Sequence, residues 1–316
     1  MKRNKMKTLF VLMLAALMAL SALGCAKTEE VKALKVGAMK GPTGMGLAYI
    51  MADTEKADTV ELFDAPDAVT AKFISGELDV AAVPVNLASV LYNKTEGDTV
   101  VLAVNTLGVL YIAENGDSIQ SMADLAGKTM HATGQGSTPE YVLSYLLEKN
   151  GLADVTVEYV GEHAALTQMM AAGEATIGMM PEPNVSAALA KGENLRVALN
   201  LTEEWNKVSD SQLVQGVYVA RKANYEENKA SIDAFMERVA ASVEKVNSAE
   251  DAAAVVAGQG IVPSEGIAKN AIPRANIVCI RGEEMKAAVS GMLQVLFEAN
   301  PKSVGGALPG DAFYAG

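Results

Sequence analysis

Two short apolar runs, residues 80–83 and 177–180, share the same pattern of flanking residues. Each follows a helix-like segment that ends in a Gly-Glu pair, and each is followed by Pro and a second helix-like segment. Four-residue apolar runs bounded by such residues are typical of buried strands. Glycine readily adopts the left-handed conformation that ends a helix. The pattern therefore predicts two helix–strand–helix units, with helices ending at Gly76 and Gly173.

The two units align residue by residue as an internal duplication. Segments 68–84 and 165–181 align at a constant offset, and identical residues occupy five aligned positions: Ala68/Ala165, Thr70/Thr167, Gly76/Gly173, Glu77/Glu174 and Pro84/Pro181. After one inserted residue, Asn86-Leu87 matches Asn184-Val185. Asparagine is a favoured helix N-cap, so a second helix is expected to begin near Asn86 and Asn184.

A second matching pair precedes these units. Residues 34–38 and 129–132 predict strands, and each is followed by a loop rich in Gly and Thr, residues 40–46 and 133–139. Helices are then predicted to run to residues 51 and 147. Strands that alternate with helices in this way predict the α/β class with mostly parallel sheets.

The halves must also be joined. Apolar runs at 100–113 and 215–220 are interpreted as two crossing strands of a hinge between two lobes. The expected domains are a signal peptide at 1–24, a tether at 25–33, lobe I at 34–114 plus 215–316, and lobe II at 115–214. Helices predicted at 225–246, 252–257 and 283–299 would pack on lobe I.

Composition narrows the function. The chain has 316 residues, 50% of them hydrophobic, with 26 Lys and Arg against 38 Asp and Glu, which gives a net charge of −12. An apolar fraction of this size can fill real cores, so a wholly disordered chain is excluded. The acidic balance argues against nucleic acid as a partner, because binding phosphates requires clustered Lys and Arg.

The N-terminus has the features of an export signal. A basic start, Lys2 to Lys7, precedes the uncharged run 8–23, which is short for a stable membrane span of about 18–20 residues. Ala-Leu-Gly-Cys at 22–25 resembles a bacterial lipoprotein signal, which implies lipidation of Cys25 and anchoring of an extracytoplasmic protein to the membrane. A simple secretory signal or a short membrane helix are the alternatives. The other cysteine, Cys279, lies in an apolar run and is interpreted as a buried thiol.

The two Gly/Thr loops define a candidate ligand site. In open α/β sheets, ligands bind beyond the carboxyl ends of the strands, where backbone amides at helix starts attract polar and anionic groups. We expect the loops to face each other across the cleft and clamp a small solute, since small residues let the backbone approach it. The expected ligand contacts are Thr43, Gly44, Met45, Asn86, Gly136, Ser137, Thr138 and Glu182.

Motifs of catalysis are missing from the sequence. Residues 134–139 begin like a dinucleotide fingerprint, but Pro139 replaces its third glycine, and there is no phosphate-binding loop with Gly-Lys-Thr. His131 and His163, the only histidines, have no partner at metal-ligand spacing. No cofactor, metal or catalytic residue is therefore expected, and His163 is interpreted as either a helix-start residue or a cleft contact.

Several short motifs occur in a characteristic order, at residues 40–46, 122–128, 134–138, 171–174, 180–183 and 300–309. Together they resemble the substrate-binding lipoproteins of bacterial ABC importers, closest to the group that serves nitrate, sulfonates, taurine and thiamine-pyrimidine precursors. The resemblance covers roughly 34–316. It implies a two-lobed periplasmic-binding-protein fold (type II) that closes on one small solute, acts as a monomer and delivers the solute to a membrane permease and its ATPase.

The nature of the solute stays open. An anionic solute would favour a nearby Arg or Lys side chain, and only Lys40 lies near the predicted loops. A heterocycle would use Glu182 as acceptor and an aromatic wall from Tyr49, Tyr141 or Trp205, although Glu182 could instead cap the next helix. Two further alternatives are an enzyme resembling thiamine-pyrimidine synthases, whose cysteine-rich segment this chain lacks, and a ligand sensor for a membrane receptor.

Overall fold

Two sheets flanked by helices make up the part of the chain that the structure, a computed structural model, describes: residues 31–55 and 58–316. The predicted signal peptide and Cys25 lie outside these residues. Within the described ranges, no helix has the length and apolar character needed to cross a bilayer.

The first sheet has six strands in the order β11-β4-β10-β3-β1-β2. Its strands are β1 (Lys35–Met39), β2 (Thr59–Phe63), β3 (Val80–Pro84), β4 (Val100–Thr106), β10 (Gly216–Ala220) and β11 (Ile277–Ile280). Strand β1 pairs in parallel with β2 and β3, whereas β10 runs antiparallel to both β3 and β4. We call this sheet with its helices lobe I.

Helices from both ends of the described chain cover the lobe I sheet. They are α1 (Pro42–Met45), α2 (Ala48–Ala52), α3 (Pro66–Ser75), α4 (Val85–Lys94), α9 (Lys222–Glu227), α10 (Lys229–Ser248), α11 (Ala252–Gly258), α12 (Glu265–Ala271) and α13 (Gly282–Ala299). Short 3₁₀ turns lie at Ile272–Arg274, Pro301–Val304 and Asp311–Phe313. The predicted helices at 252–257 and 283–299 are confirmed, and the one predicted at 225–246 is divided at Asn228 into α9 and α10.

The second sheet has five strands in the order β7-β6-β8-β5-β9 and forms lobe II. These are β5 (Leu110–Asn115), β6 (Thr129–Ala132), β7 (Thr156–Tyr159), β8 (Ile177–Pro181) and β9 (Leu195–Asn200). Its helices are α5 (Thr138–Lys149), α6 (His163–Ala172), α7 (Asn184–Leu189) and α8 (Leu201–Asn206), with a 3₁₀ turn at Met122–Leu125. The predicted α/β class with two lobes is confirmed.

The internal duplication is visible in the structure. Helices α3 and α6 end at Gly76 and Gly173, whose φ angles are 78° and 73°. The equivalent strands β3 and β8 follow, each with its first four residues buried, and α4 and α7 begin directly or shortly after the shared prolines. Both helix ends that were predicted from glycine are therefore confirmed, since a glycine in the left-handed conformation ends each helix and turns the chain back towards the sheet.

The chain passes between the lobes at residues 107–109, before the expected boundary at 114. The apolar run 100–113 is two strands, since β4 lies in the first sheet and β5 in the second. A Cβ on Gly108 would lie 1.9 Å from Thr202 Oγ1, so the passage is packed against lobe II and requires glycine. Apolar residues stand on both sides of Gly108, and this concealed the break.

The topology brings two sheet edges together. Strands β1, β3 and β4 end at one edge of the first sheet, and β10 begins there. In the second sheet β6 and β8 end at the edge where β5 begins. Since only residues 107–109 separate the end of β4 from the start of β5, these two edges meet across the junction of the lobes.

Candidate functional site

Buried polar groups without partners gather at the lobe I edge. Asn105 and Thr106 end β4, and Gln215 immediately precedes β10, which pairs with β4. These residues are only 2%, 1% and 8% exposed. Both polar atoms of the Asn105 amide, the Thr106 hydroxyl and Gln215 Nε2 are buried without a hydrogen-bond partner. A buried polar group without a hydrogen-bond partner destabilises the folded protein. This cluster therefore indicates the position of a polar ligand that would supply the missing hydrogen bonds.

Asn105 is the extra residue of a β-bulge in β4. Gly216 pairs with Thr106 and Val217 with Val104, so Asn105 has no partner across the strand pair. Bulges commonly re-aim side chains beside functional sites. A Cβ on Gly216 would lie 2.4 Å from Asn105 Oδ1 and 2.9 Å from Thr43 Cγ2. Asn105 and Thr43 therefore both cover Gly216, and the absence of a side chain there makes room for them.

One hydrogen bond joins the two lobes where two helices begin. Thr138 Oγ1, on the first residue of α5, donates to Asn86 Oδ1 in the first turn of α4 over 2.9 Å. Both side chains are buried, and Asn86 Nδ2 donates to the Ser303 carbonyl at 3.3 Å. The N-terminal ends of α4 and α5 carry partial positive charge and thus converge between the lobes.

The lobe I loop reaches lobe II through its backbone. A Cβ on Gly41 would lie 3.4 Å from Pro183 Cδ of lobe II. Thr43 is half-buried and its hydroxyl donates to the Met39 carbonyl at 3.3 Å. Gly44 has no room for a side chain, because a Cβ would lie 2.6 Å from the Met39 carbonyl oxygen. Met45 is fully buried in the lobe I core, a position that does not support the expected ligand contact.

The lobe II loop is closed on itself. Ser137 Oγ donates to the Gly134 carbonyl at 2.7 Å, and the exposed Gly136 amide donates to the Glu140 carboxylate. Of the residues predicted in this loop, Thr138 alone reaches across to lobe I through a hydrogen bond in the described chain. The loop amides that were expected to meet a ligand are therefore partly engaged by their own helix.

Glu182 is fully buried and bonded within the protein. Its carboxylate accepts hydrogen bonds from the Ser186 amide (3.3 Å) and hydroxyl (3.0 Å), so it caps α7. Arg274 of lobe I lies 3.6 Å away, and the Tyr111 hydroxyl of lobe II donates to the Arg274 carbonyl. Burial raises the pKa of Glu182 from 4.5 to about 7, and the Ser186 and Arg274 contacts partly offset this. An ion pair thus bridges the lobes.

The nearby cations and the expected aromatic wall are also engaged elsewhere. Lys40 is the cation that the sequence placed near the predicted loops. Its Nζ forms an ion pair with the Asp64 carboxylate at 2.8 Å. Trp205 is fully buried in a core cluster, and the Tyr49 hydroxyl donates to Asp251 on the surface. The structure gives these two aromatic residues packing and surface roles. Tyr141 is half-buried on α5.

The histidines occupy lobe II. His163, at the start of α6, shares a 2.7 Å hydrogen bond between Nδ1 and Thr133 Oγ1. His131, on β6, lies 3.3 Å from Glu158 of the neighbouring strand. In the described part of the chain no group of three His, Cys, Asp or Glu residues could hold a metal ion.

Sequence reasoning missed Asn105, Gln215 and Arg274. Asn105 and Thr106 are a polar interruption in the middle of an otherwise apolar run, a signal that was available in the sequence. Gln215 was included only as the first residue of a strand. Arg274 stands far along the chain from Glu182, and no local pattern connects the two.

Two sheets that meet at the ends of their strands, with buried unpartnered donors at the edge of the first, are typical of a two-lobed solute-binding protein. The family model described as "ABC transporter, phosphonate, periplasmic substrate-binding protein" matches residues 47–264, more than half of the chain. The chain belongs to this family and is the substrate-binding component of an ABC importer. No curated protein matches the sequence.

Solved structures agree with this fold. An ABC transporter protein from Parabacteroides distasonis is 26% identical, with a TM-score of 0.77 over 90% of this chain and 99% of that one. The periplasmic aliphatic sulphonate binding protein SsuA from Escherichia coli is 19% identical, with a TM-score of 0.70 over 89% and 98%. The periplasmic nitrate-binding protein NrtA from Synechocystis PCC 6803 is 13% identical, with a TM-score of 0.62 over 87% and 84%.

Proposed function

We propose that this protein captures a small solute with an oxyanion head group between its lobes and delivers it to a membrane permease driven by an ATPase. Contacts to both lobes would favour the closed arrangement, since a ligand shifts an equilibrium by its differential affinity for the two states. Thr43, Asn86, Thr138 and the cluster at Asn105 and Gln215 are the proposed contacts.

The observation that carries this proposal is the set of buried donors at the end of β4. Asn105 Nδ2, the Thr106 hydroxyl and Gln215 Nε2 all lack an acceptor. The N-terminal ends of α4 and α5 lie at the same junction and favour negative charge. Acceptor oxygens of a small anion would satisfy these donors without a dedicated cation.

A cationic heterocycle fits this geometry less well. Its acceptor would be Glu182, but the Glu182 carboxylate already accepts two hydrogen bonds from Ser186 and faces Arg274. Burial raises the pKa of Glu182 to about 7, so its carboxyl group is only partly ionised near neutral pH. The names of the family and of the matched structures mention phosphonate, sulphonate and nitrate, which are oxyanions.

Thermal unfolding with added solutes tests the proposal. We expect millimolar methylphosphonate, methanesulfonate or nitrate to raise the melting temperature, because a ligand that binds only the folded state stabilises it. Choline and thiamine are the matched cationic probes and should give no shift. A shift with thiamine or choline alone would contradict the proposed class of solute.

We also propose that binding occurs without turnover. His163 is the histidine that an enzyme alternative would place near a ligand, and its Nδ1 is bonded to Thr133. After incubation at a stoichiometric ratio, the stabilising solute should be recovered chemically unchanged. Conversion of the solute, abolished by His163→Ala, would favour the enzyme.

The membrane anchor is proposed from the sequence signal at Cys25. The wild-type protein, expressed in a bacterium with a lipoprotein pathway, should incorporate labelled palmitate and sediment with membranes. Cys25→Ala should lose the label and enter the soluble extracytoplasmic fraction, because a lipid chain contributes about 0.8 kcal/mol per buried CH₂. Cys279→Ala is the matched control and should behave as wild type; membrane retention of Cys25→Ala without label would contradict the anchor.

A further inference from the structure

We propose that the turn after α13, residues 300–305, is a positioning element for the cleft. It orients the Asn86 amide so that the amide oxygen faces Thr138 of lobe II, and it thereby strengthens the contact that joins the lobes in the closed arrangement. The turn itself is given no contact with the solute. The inference rests on the proposed function and adds to it a control of closure that lies outside the cleft.

One face of α4 binds this turn. Ser89 Oγ donates to the Val304 carbonyl at 2.8 Å. Asn93 Nδ2 donates to the same carbonyl at 2.9 Å. Together with Asn86, these residues stand at positions i, i+3 and i+7, which lie on one face of a helix. The 300–305 turn therefore lies along α4 and reaches the junction of the lobes at Asn86, in the first turn of that helix.

The Ser303 carbonyl determines which end of the Asn86 amide faces lobe II. Asn86 Nδ2 donates to this carbonyl at 3.3 Å. A carbonyl oxygen only accepts hydrogen bonds, so the NH₂ end of the amide lies on that side. The opposite end, Oδ1, therefore accepts from Thr138 Oγ1 at 2.9 Å. Asn86, Ser303 and Thr138 are 6%, 2% and 1% exposed, so both hydrogen bonds are shielded from water.

Helix α13 holds the turn from its other side. Ser303 Oγ donates to the Leu296 carbonyl in α13 at 3.0 Å. Asn300, directly after α13, accepts from the Lys302 amide at 3.1 Å through its side chain and so caps the turn. Because the side chain of Ser303 is bound to α13, its carbonyl has a fixed position from which it binds Asn86.

The close approach of the turn to α4 requires Gly305. Its φ angle is 87°, and a Cβ there would lie 3.0 Å from Asn93 Nδ2 and 3.1 Å from Val90 Cα. Gly306, directly after the turn, has a φ angle of 95°, but a Cβ there meets nothing within 4 Å. Alanine therefore brings similar backbone strain at both positions, whereas only Gly305→Ala pushes the turn away from α4.

A double-variant cycle on solute affinity tests the positioning role. Gly305→Ala should weaken the binding of methylphosphonate about tenfold, because the displaced Ser303 carbonyl no longer orients Asn86 and the hydrogen bond to Thr138 is lost. In the Thr138→Val background, which lacks the hydroxyl group at similar size, the same change should alter the affinity less than about twofold. Thr138→Ser keeps the hydroxyl group and should restore the tenfold effect. Isothermal titration of the full-length protein measures each affinity.

Two further variants separate positioning from folding. Gly306→Ala is the matched control for backbone strain, and its affinity should stay within about twofold of wild type. Ser89→Ala removes one hydrogen bond from the turn without backbone strain, so it serves if Gly305→Ala does not fold. It should weaken affinity about threefold, again only where residue 138 carries a hydroxyl group. A lower melting temperature with unchanged affinity in both Gly305→Ala and Ser89→Ala would overturn the inference.

The outcomes distinguish this inference from the proposed function. An equal loss of affinity with and without the Thr138 hydroxyl would show that the turn only stabilises lobe I. The same cycle is also read in the solute-free protein, as the fraction of short distances between spin labels on the two lobes. Gly305→Ala should lower that fraction unless Thr138→Val is present, and an unchanged fraction would overturn the inference. Binding of none of the oxyanion probes would contradict the proposed function, whereas the distance cycle would still decide the role of the turn.

Discussion

Gly216→Ala is expected to weaken solute affinity by at least about 100-fold while the protein stays folded. The new Cβ would lie 2.4 Å from Asn105 Oδ1 and 2.9 Å from Thr43 Cγ2. Both clashing atoms are ends of side chains that can rotate, so the collision displaces them instead of the strand. Their displacement moves two proposed contacts, and losing the alignment of buried polar contacts costs several kcal/mol.

A graded series and a control make this prediction specific. Gly216→Val adds more atoms and should reduce affinity further, with isothermal titration as the measurement. Gly266→Ala, in α12, is the matched control, because a Cβ there meets nothing within 4 Å. Affinities of Gly216→Ala and Gly216→Val within about threefold of wild type would contradict the placement of the site.

Arg274→Met is expected to destabilise the protein by about 2 kcal/mol at pH 8 and by much less at pH 5. Removing Arg274 leaves the buried Glu182 carboxylate without its counter-charge. This loss destabilises the folded protein only while the carboxylate is ionised. The magnitude is below that of a fully buried pair, because the Arg274 side chain is 40% exposed.

The direction of the pH dependence follows from linkage. The pKa of Glu182 is about 7 in the folded protein and 4.5 ordinarily, so the folded state binds this proton more tightly. Stability from this group is therefore greatest below pH 4.5 and falls as pH rises to about 7. Without Arg274 the pKa rises further, and the fall extends to higher pH.

Chemical denaturation at pH 5 and pH 8 measures this effect. Glu182→Gln should remove the component of the pH dependence due to this carboxyl group, and the double variant Glu182→Gln/Arg274→Met should lose the difference between the two pH values. Equal destabilisation of Arg274→Met at both pH values would show that its role is packing rather than charge.

Local signals predicted much of the fold. The duplicated Gly-Glu and Pro positions predicted β3 and β8 and the helices around them. Glycine and proline restrict or free the backbone at their own position, so their effect can be predicted from the sequence. The Gly/Thr loops were also placed correctly at strand ends. The passage between lobes was misplaced, because the apolar residues on both sides of Gly108 were read as one strand, whereas β4 and β5 lie in different sheets.

The site depended on contacts that no local pattern contains. Asn105 lies on β4 and Gln215 immediately before β10, and these two strands are far apart in the chain and pair only in the folded sheet. Met45 resembled a ligand contact because it lies in a Gly-rich loop, but its apolar side chain is more stable in the core. Glu182 caps the helix after β8, which was one of the two roles expected for it, whereas its partner Arg274 comes from the segment after α12.

Closure of the lobes on an oxyanion is the central claim, and the distance between the lobes tests it most directly. Spin labels at Ile74→Cys in lobe I and Lys149→Cys in lobe II occupy exposed helix positions, in a background with Cys25→Ala and Cys279→Ser. Pulsed electron paramagnetic resonance should give one short, narrow distance with saturating methylphosphonate and a longer, broader distribution without it. Identical distributions in both samples, with binding confirmed by titration, would contradict the account.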